Sequence, residues 1–373
     1  MVKLNINTYA MNSFYSLLVN SDFPLFSAAI KCADFDVRQA PDGGIALARK
    51  IFDLPMLEKC EIAKHLKRLV ASSNYEPMIS DVACICLFAS QEFCEIISIA
   101  ERSIENHKCV RQDMARIYIC ALICQARWED LDSFASAHQV VIDHFALNQW
   151  IALAQKIRRG DVATICNSLT NGIPLHFVLS AYNTSILVTS LEHSKGELLE
   201  TNELRILSEY IDGGNVLDVG SLCGNHSIYF SKVCGAKKVV SIDSESGCCA
   251  LTELNFRLND INPEKYSIFN ASAGGDIPFS EIGNAACTEP GIYLDNRCEK
   301  YDLVKVDIDG GELDFLKRSR EYFSLYKTPL MCEVATKSAA KVFDIMNSIG
   351  YDCAPLTNRA ISDGDNNYLF KHA

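Results

Sequence analysis

The chain has 373 residues, 49% of them apolar and 22% charged, and a formal net charge of −12. That length accommodates two cores, and the composition is globular rather than disordered. The acidic balance, with no Lys/Arg run longer than a pair, speaks against nucleic acid as partner or substrate.

The 17 cysteines are odd in number and form no Cys-x-x-Cys. Most, such as Cys84, Cys86, Cys94, Cys120 and Cys124, fall inside apolar helical patterns, where cysteine acts as a small core hydrophobe. The spacing suits no zinc site, so no metal is assigned. No basic-then-apolar leader and no uncharged span long enough for a membrane stand in the sequence, so the expectation is a cytoplasmic protein in a reducing compartment, without membrane insertion.

In chain order, Val2 to Ile6 alternates like an edge strand, and the rest of the first 40 residues is uninformative. From there to about residue 169 the pattern is helical, with apolar residues three and four apart over 46–54, 56–70, 78–88, 93–104, 114–126, 131–142 and 148–158. Short polar connections imply antiparallel pairs. A shift of 35 residues sets Phe93 over Trp128, Ile96 over Leu131, Ile99 over Phe134 and Ala100 over Ala135, close to the tetratricopeptide period, though without its Trp-Leu-Gly-Tyr consensus. The reading is an all-α, helical-hairpin domain over 1–174 that binds an acceptor or a protein partner. Arg158-Arg159-Gly160-Asp161 either ends that array or begins its last hairpin, through Ile165 and Leu169.

Asn171-Gly172-Ile173-Pro174 breaks the helical pattern and opens a second domain, 175–373. Strands are expected at 177–179 and 185–189 and a helix over 200–210. Strand and helix then alternate: strands at 215–219, 238–242, 266–271, 303–306 and 330–334, and helices over 227–233, 249–259, 312–319 and 340–349. Two final strands, 351–356 and 368–371, have no helix between them. Such alternation predicts an α/β, Rossmann-like, doubly wound parallel sheet with an antiparallel terminal hairpin, the class I methyltransferase architecture.

The turn Asp218-Val219-Gly220-Ser221-Leu222-Cys223-Gly224-Asn225-His226-Ser227 joins the first of these strands to its helix. Glycines there allow close backbone approach, and a helix start favours a carboxylate. Asp243 ends the next strand, 23 residues after Gly220, where nucleotide-binding folds hold a ribose. Gly-x-Gly-x-x-Gly would need glycine at Leu222, so S-adenosyl-L-methionine fits better than NAD. Candidate cofactor-binding residues are Asp218, Gly220, Ser221, Gly224, Asn225, Asp243 and Ser244, with Ser272 beyond the third strand near the adenine. Asp307 ends the fourth strand. With Asp309 and Glu312 it makes an acidic cluster suited to general-base work or hydroxyl orientation or equally to holding Mg²⁺ against a sugar or catechol-like diol, and the same acids suit a helix start. His226 is the other candidate base, and Lys305 is expected to pair with one of the acids.

On these residues, on Leu254-Asn255-Phe256-Arg257-Leu258-Asn259, and on Lys305-Val306-Asp307-Ile308-Asp309-Gly310-Gly311-Glu312, the C-terminal half resembles the FkbM family of S-adenosylmethionine-dependent methyltransferases. Glu333 also fits. Leu222, Asp243-Ser244 and Asp309 depart from the family's usual Asn, Glu-Pro and Glu. The resemblance implies O-methylation of a saccharide or secondary metabolite, the small-molecule partner. Two other readings stand beside it: a helical-array adaptor with an inactive methyltransferase-like domain, and an NAD-dependent oxidoreductase. Acceptor and oligomeric state stay open, a homo-oligomer included.

Overall fold

A computed structural model describes Lys67, Val70, Ala71, Ser80, Ala83, Cys84, Leu87, Phe88 and residues 91–373, less 109, 283–290, 309, 336–337, 357–365 and 373. The strand expected at Val2 to Ile6 lies outside these residues, and the helices expected over 46–54, 56–70 and 78–88 lie wholly or largely outside them. The chain divides into two compact units, Met1–Arg158 and Arg159–Ala373.

The first unit is helical: α1 (Phe93–His107), α2 (Gln112–Cys124), α3 (Trp128–Ala137), α4 (Gln139–His144) and α5 (Asn148–Arg159). In α1, Phe93, Ile96, Ile97, Ile99 and Ala100 make the buried stripe, each large side chain worth about 1.5–3 kcal/mol on burial. The helix expected over 131–142 is interrupted. His138 leaves helical geometry (φ −125°, ψ 30°) with its ring 4.8 Å from that of Phe134, and the chain restarts as α4. The 35-residue shift has a structural counterpart. Gln91 and Ala126 both take positive φ, 56° and 52°, and each starts the same turn: Glu92 N–H donates to Leu87 O (3.1 Å) and Arg127 N–H to Leu122 O (2.8 Å). Phe93 and Trp128 then open the following helices. Cys84 and Cys120 are core residues, whereas Cys94, expected inside, is exposed.

The second unit begins earlier than the break at 171–174 suggests. Residues 162–165, read as the tail of the helices, instead form β1 (Val162–Ile165), antiparallel to β2 (Leu175–Val178). The segment 185–189, expected as a strand for its β-branched residues, is helical within α6 (Thr184–Ser194). Asn183 caps it by accepting from Ile186 N–H (2.8 Å), and Ile186, Leu187, Ser190 and Leu191 line its buried face. Cap and helical spacing override strand propensity here.

Then follow α7 (Thr201–Leu207), β3 (Asn215–Val219), α8 (Asn225–Lys232), β4 (Lys238–Asp243), α9 (Ser246–Leu258), β5 (Tyr266–Asn270), the short strands β6 (Ala273–Pro278) and β7 (Ile292–Tyr293), β8 (Leu303–Val306), α10 (Glu312–Arg318), α11 (Arg320–Tyr326), β9 (Leu330–Val334), α12 (Ala339–Asn347), β10 (Tyr351–Pro355) and β11 (Asn366–His372). The β6/β7 pair was not foreseen. The main sheet runs β10-β11-β9-β8-β3-β4-β5. Its neighbours from β9 through β5 are parallel, and β11 lies antiparallel between β9 and β10. This is the class I methyltransferase fold, with the chain order reversing between β3 and β8.

Both sheet faces are buried. Leu217, Val219, Val304 and Val306 belong to one core cluster, and Val216, Leu303, Met331 and Leu369 to the other. The alternation puts Asp218 and Lys305 on the second face, in register with each other. The paired asparagines of α9 serve this scaffold. Asn255 Oδ1 accepts from Val178 N–H (3.0 Å) and Asn259 Oδ1 from His176 N–H (2.9 Å), joining the β2 backbone to α9. Asn255 also donates to Cys223 O in the glycine turn (2.8 Å). Among the described residues no helix is long and apolar enough to cross a membrane.

Candidate functional site

Side chains of one sheet face build two polar rows toward the carboxyl ends of the parallel strands. The lower row runs Ser241, Asp218, Lys305 across β4, β3 and β8, set by strand register. Asp218 is fully buried. Its Oδ2 accepts from Ser227 Oγ (2.6 Å), which also meets Ser241 Oγ (2.8 Å), and its Oδ1 lies 3.2 Å from Lys305 Nζ. Lys305, only 4% exposed at its side chain, also donates to Gly220 O (2.9 Å) and stands 3.5 Å from Asp307 Oδ2. Burial lowers the Lys305 ammonium, but Asp218, Asp307 and Glu200 outweigh it and hold the group well above the usual lysine range. Lys305 does pair with the acids, with Asp218 and Asp307 together.

The turn above this row takes positive φ at Gly220 (80°), Leu222 (53°) and Gly224 (79°). Glycine at 220 is required by a neighbouring strand: a Cβ would land on the carbonyl oxygen of Asp307. The turn's amides are spent on the scaffold. Gly220 and Ser221 N–H donate to Ile242 O (2.8 and 3.1 Å), and Leu222 N–H to Asp243 Oδ2 (2.8 Å). Asp243 also accepts from Glu245 N–H (2.9 Å). Burial raises its carboxyl against the lowering effect of those bonds. Ser221 Oγ is buried without a partner, and Ser244 is exposed beyond Asp243. Asn225, a cofactor candidate, is engaged inside: its Oδ1 meets His193 Nε2 (2.8 Å) and its Nδ2 donates to Leu199 O (3.2 Å). Ser272 O accepts from Ile292 N–H (2.8 Å), tying β6 to β7 beside the end of β5.

The upper row runs Asp307, Glu333, Asn367, Glu200, with His226 of α8 against it. Glu333 and Asn367 are in register across β9 and β11, and Glu333 hydrogen-bonds Asp307. Asn367 Nδ2 donates to Glu200 Oε1 (2.7 Å), while its Oδ1 is buried without a partner. His226 Nε2 lies 3.2 Å from Glu200 Oε2, short of hydrogen-bond geometry at either ring nitrogen. Asp307 and Glu200 are both partly open, with 29% and 23% of their side chains exposed. Their environments push them apart. Burial raises Asp307, but Lys305, Glu333 and His226 hold it below the ordinary carboxylate value. Burial and the charge of Asp307 lift Glu200 to about 7, against Lys305 and Asn367. Burial, then Lys305, lowers His226 to about 4, so it is neutral at pH 7.

Of the predicted catalytic residues, Asp307 and His226 therefore meet at one cleft. Glu312 does not share it: it is buried at the start of α10, accepting from Gly310 N–H (2.8 Å). Asp309 lies outside the described residues, among which no three His, Cys, Asp or Glu side chains gather as metal ligands. Glu200 and Asn367 were missed. Glu200 stands before a helix like many surface acids, and only the fold brings it beside residues 107 and 167 positions away in sequence.

The group that the fold implies, S-adenosylmethionine, fits the residues present: a glycine turn at the strand-order reversal, a carboxylate at the end of β4 for a diol, and an unpartnered Ser221 hydroxyl.

No protein-family model matches the sequence, and no curated protein matches it. Among solved structures the chain is similar to a ribosomal protein L11 methylase from Lactobacillus delbrueckii subsp. bulgaricus, with 14% identity over 46% of this chain and 78% of that one and a TM-score of 0.33. It is also similar to a precorrin-6y C5,15-methyltransferase from Geobacter metallireducens GS-15 (9% identity, 46% and 90%, TM-score 0.34). A magnesium protoporphyrin IX methyltransferase from Synechocystis PCC 6803 with bound SAM shows 14% identity over 46% and 75%, TM-score 0.31. Likeness at this distance says nothing of activity.

Proposed function

We propose that the second unit is an S-adenosylmethionine-dependent methyltransferase acting on a hydroxyl, with a saccharide or secondary metabolite of the kind the FkbM resemblance implies as acceptor. The observation that carries this reading is the juxtaposition, at the reversal of strand order between β3 and β8, of the glycine turn with the open carboxylate of Asp307. Crevices at such reversals are where open α/β sheets hold ligands. The bound cofactor would supply an electrophilic methyl group on a positive sulfur.

The chain's own residues position and polarise. Asp243 would take the ribose hydroxyls, its carboxylate already aimed by Leu222 and Glu245 N–H. Ser221 and Ser244 would border the same end. Asp218, closed off by Lys305 and Ser227, fixes the floor and keeps Lys305 charged. Lys305 in turn keeps Asp307 ionised at the reacting end. Much of the rate enhancement would come from holding two reactants in line. For the helical unit we propose recognition of the acceptor or of a protein partner, as hairpin arrays offer extended binding faces.

Isothermal titration calorimetry with S-adenosylmethionine, S-adenosylhomocysteine and NAD tests the reading. Micromolar binding of the first two and none of NAD is expected. Binding of neither adenosyl ligand overturns it and returns weight to the adaptor.

A further inference from the structure

We propose that Glu200, rather than Asp307, is the base of the transfer: it stands partly open beside His226 and Asn367 and takes the proton that the acceptor's hydroxyl gives up. The inference rests on the methyltransferase reading. It assigns a catalytic role to a residue that the sequence pattern left in an ordinary amphipathic helix.

The geometry separates the two open carboxylates. Asp307 has Lys305 Nζ at 3.5 Å, so it is held by a fixed cation that favours its charge. Among the described residues Glu200 receives a single side-chain donor, Asn367 Nδ2 on Oε1, and turns Oε2 toward a neutral imidazole. The groups facing it are Lys305 and Asp307 from β8, His226 from α8, Asn367 from β11 and Glu203 of its own helix. The backbone at Glu200 is itself left-handed, φ 57° and ψ 44°, a conformation that costs a non-glycine residue and persists where the surroundings fix it. Beside it the buried Asn367 Oδ1 lacks any donor. Buried acceptors are normally paired, and an acceptor molecule bearing a second O–H or N–H next to its reacting hydroxyl would pair this one. Vicinal polyols have that pattern.

Two carboxyls whose environments drive them in opposite directions divide the labour of acid and base. A group near 7 exchanges a proton at neutral pH; one held low stays charged and orients. In the step, the acceptor oxygen forms a bond to the methyl carbon as the carbon–sulfur bond breaks with its electron pair on sulfur, and the oxygen's proton passes to Glu200. One positive and one negative charge disappear together, so the step balances.

The test needs no acceptor. A positive sulfur beside Glu200 would expel its proton on binding, and the neutral thioether would not. Wild type and Glu200→Gln are titrated with S-adenosylmethionine and S-adenosylhomocysteine at pH 7 in two buffers of different ionisation enthalpy. The two ligands share one amino-acid end, so their difference reports the sulfur's charge. The expected result is release of about half a proton on binding S-adenosylmethionine to wild type, little with S-adenosylhomocysteine, and no difference in Glu200→Gln, with affinities within a few-fold of wild type. Tight binding of both ligands without differential release, or a difference that survives in Glu200→Gln, overturns the assignment of Glu200 while leaving the cofactor reading intact. Absence of binding removes both. A thermal melt of Glu200→Gln beside wild type shows that the variant is folded.

Discussion

The two polar rows on one face of the sheet differ in how completely they are closed. In the lower row Asp218, Ser227, Ser241 and Lys305 are all buried and face one another, with Asp218 Oδ1 held by the Lys305 charge at 3.2 Å rather than by a hydrogen bond. In the upper row Asp307 and Glu200 stay partly open, and Asn367 keeps an orphaned oxygen. A buried charge network closed on itself sets geometry and pays for its desolvation with its own pairings. A network left open holds capacity for a ligand. Under the proposed function the lower row serves architecture and the upper row chemistry, and substitutions in each should fail in different ways.

The largest effect is expected at Lys305. Lys305→Met leaves Asp218 buried without its cation, and breaking such a pair from one side costs about 3–5 kcal/mol. Urea unfolding is expected to show that loss, whereas Asp307→Asn, at the open end, is expected to stay within about 1 kcal/mol of wild type. Equal destabilisation by the two would erase the distinction between the rows.

Gly220→Ala comes next. The added methyl meets the Asp307 carbonyl, a backbone atom that yields only if β3 and β8 separate, and φ of 80° adds strain. Overpacking of this kind costs about 1–3 kcal/mol. A Gly220→Ala protein that melts with wild type would show that the strand ends are less tightly coupled than their contact implies.

At the ligand end, Asp243→Ala is expected to weaken S-adenosylhomocysteine binding by about ten-fold or more, the loss of one or two hydrogen bonds to a charged group. Asp307→Asn is expected to leave that affinity nearly unchanged while abolishing turnover. Calorimetry on both variants checks the division. Equal loss of affinity would merge the cofactor end and the reacting end into one site.

How much of this was legible in the sequence follows from the range of the interactions. The strands at 215–219, 303–306 and 330–334 were placed to the residue, because parallel strands buried on both faces read as short apolar runs, here interrupted only by Asn215 and by one charged residue in each, Asp218, Lys305 and Glu333. Asp218, Gly220, Asp243 and Asp307 could be placed at strand ends and in a glycine turn because those are local signals. The helix at Thr184–Ser194 was misread because its Ile-Leu-Val-Thr run carries strand propensity, while the deciding contact is one cap at Asn183. The tail at 162–165 was misread because its partner strand lies about ten residues on, beyond a helical window. Glu200 and Asn367 left no local signal at all. Their meeting depends on β11 inserting between β9 and β10, a long-range event that alternation of apolar and polar residues does not encode.

The smallest expected effect is the pH dependence of stability, where the buried histidines and Glu200 part. Burial lowers His193 and His226 to about 4 from an ordinary 6.5, so the folded protein binds fewer protons than the unfolded chain between those values. Their contribution is complete above about 6.5 and is lost as the pH falls toward 4. Glu200 has the opposite sign. Raised from 4.5 to about 7, it binds its proton more tightly when folded, so its contribution is complete below about 4.5 and is lost as the pH rises through 7. Solvent on its open side reduces the effect to on the order of 1 kcal/mol, about 2–4 °C in a unit of this size. Glu200→Gln is therefore expected to melt with wild type near pH 4.5 and a few degrees above it at pH 8, by scanning calorimetry. A gap of the same size at both pH values would mean that the glutamine acts through packing, and that the charge of Glu200 carries no strain for a cofactor's positive sulfur to relieve.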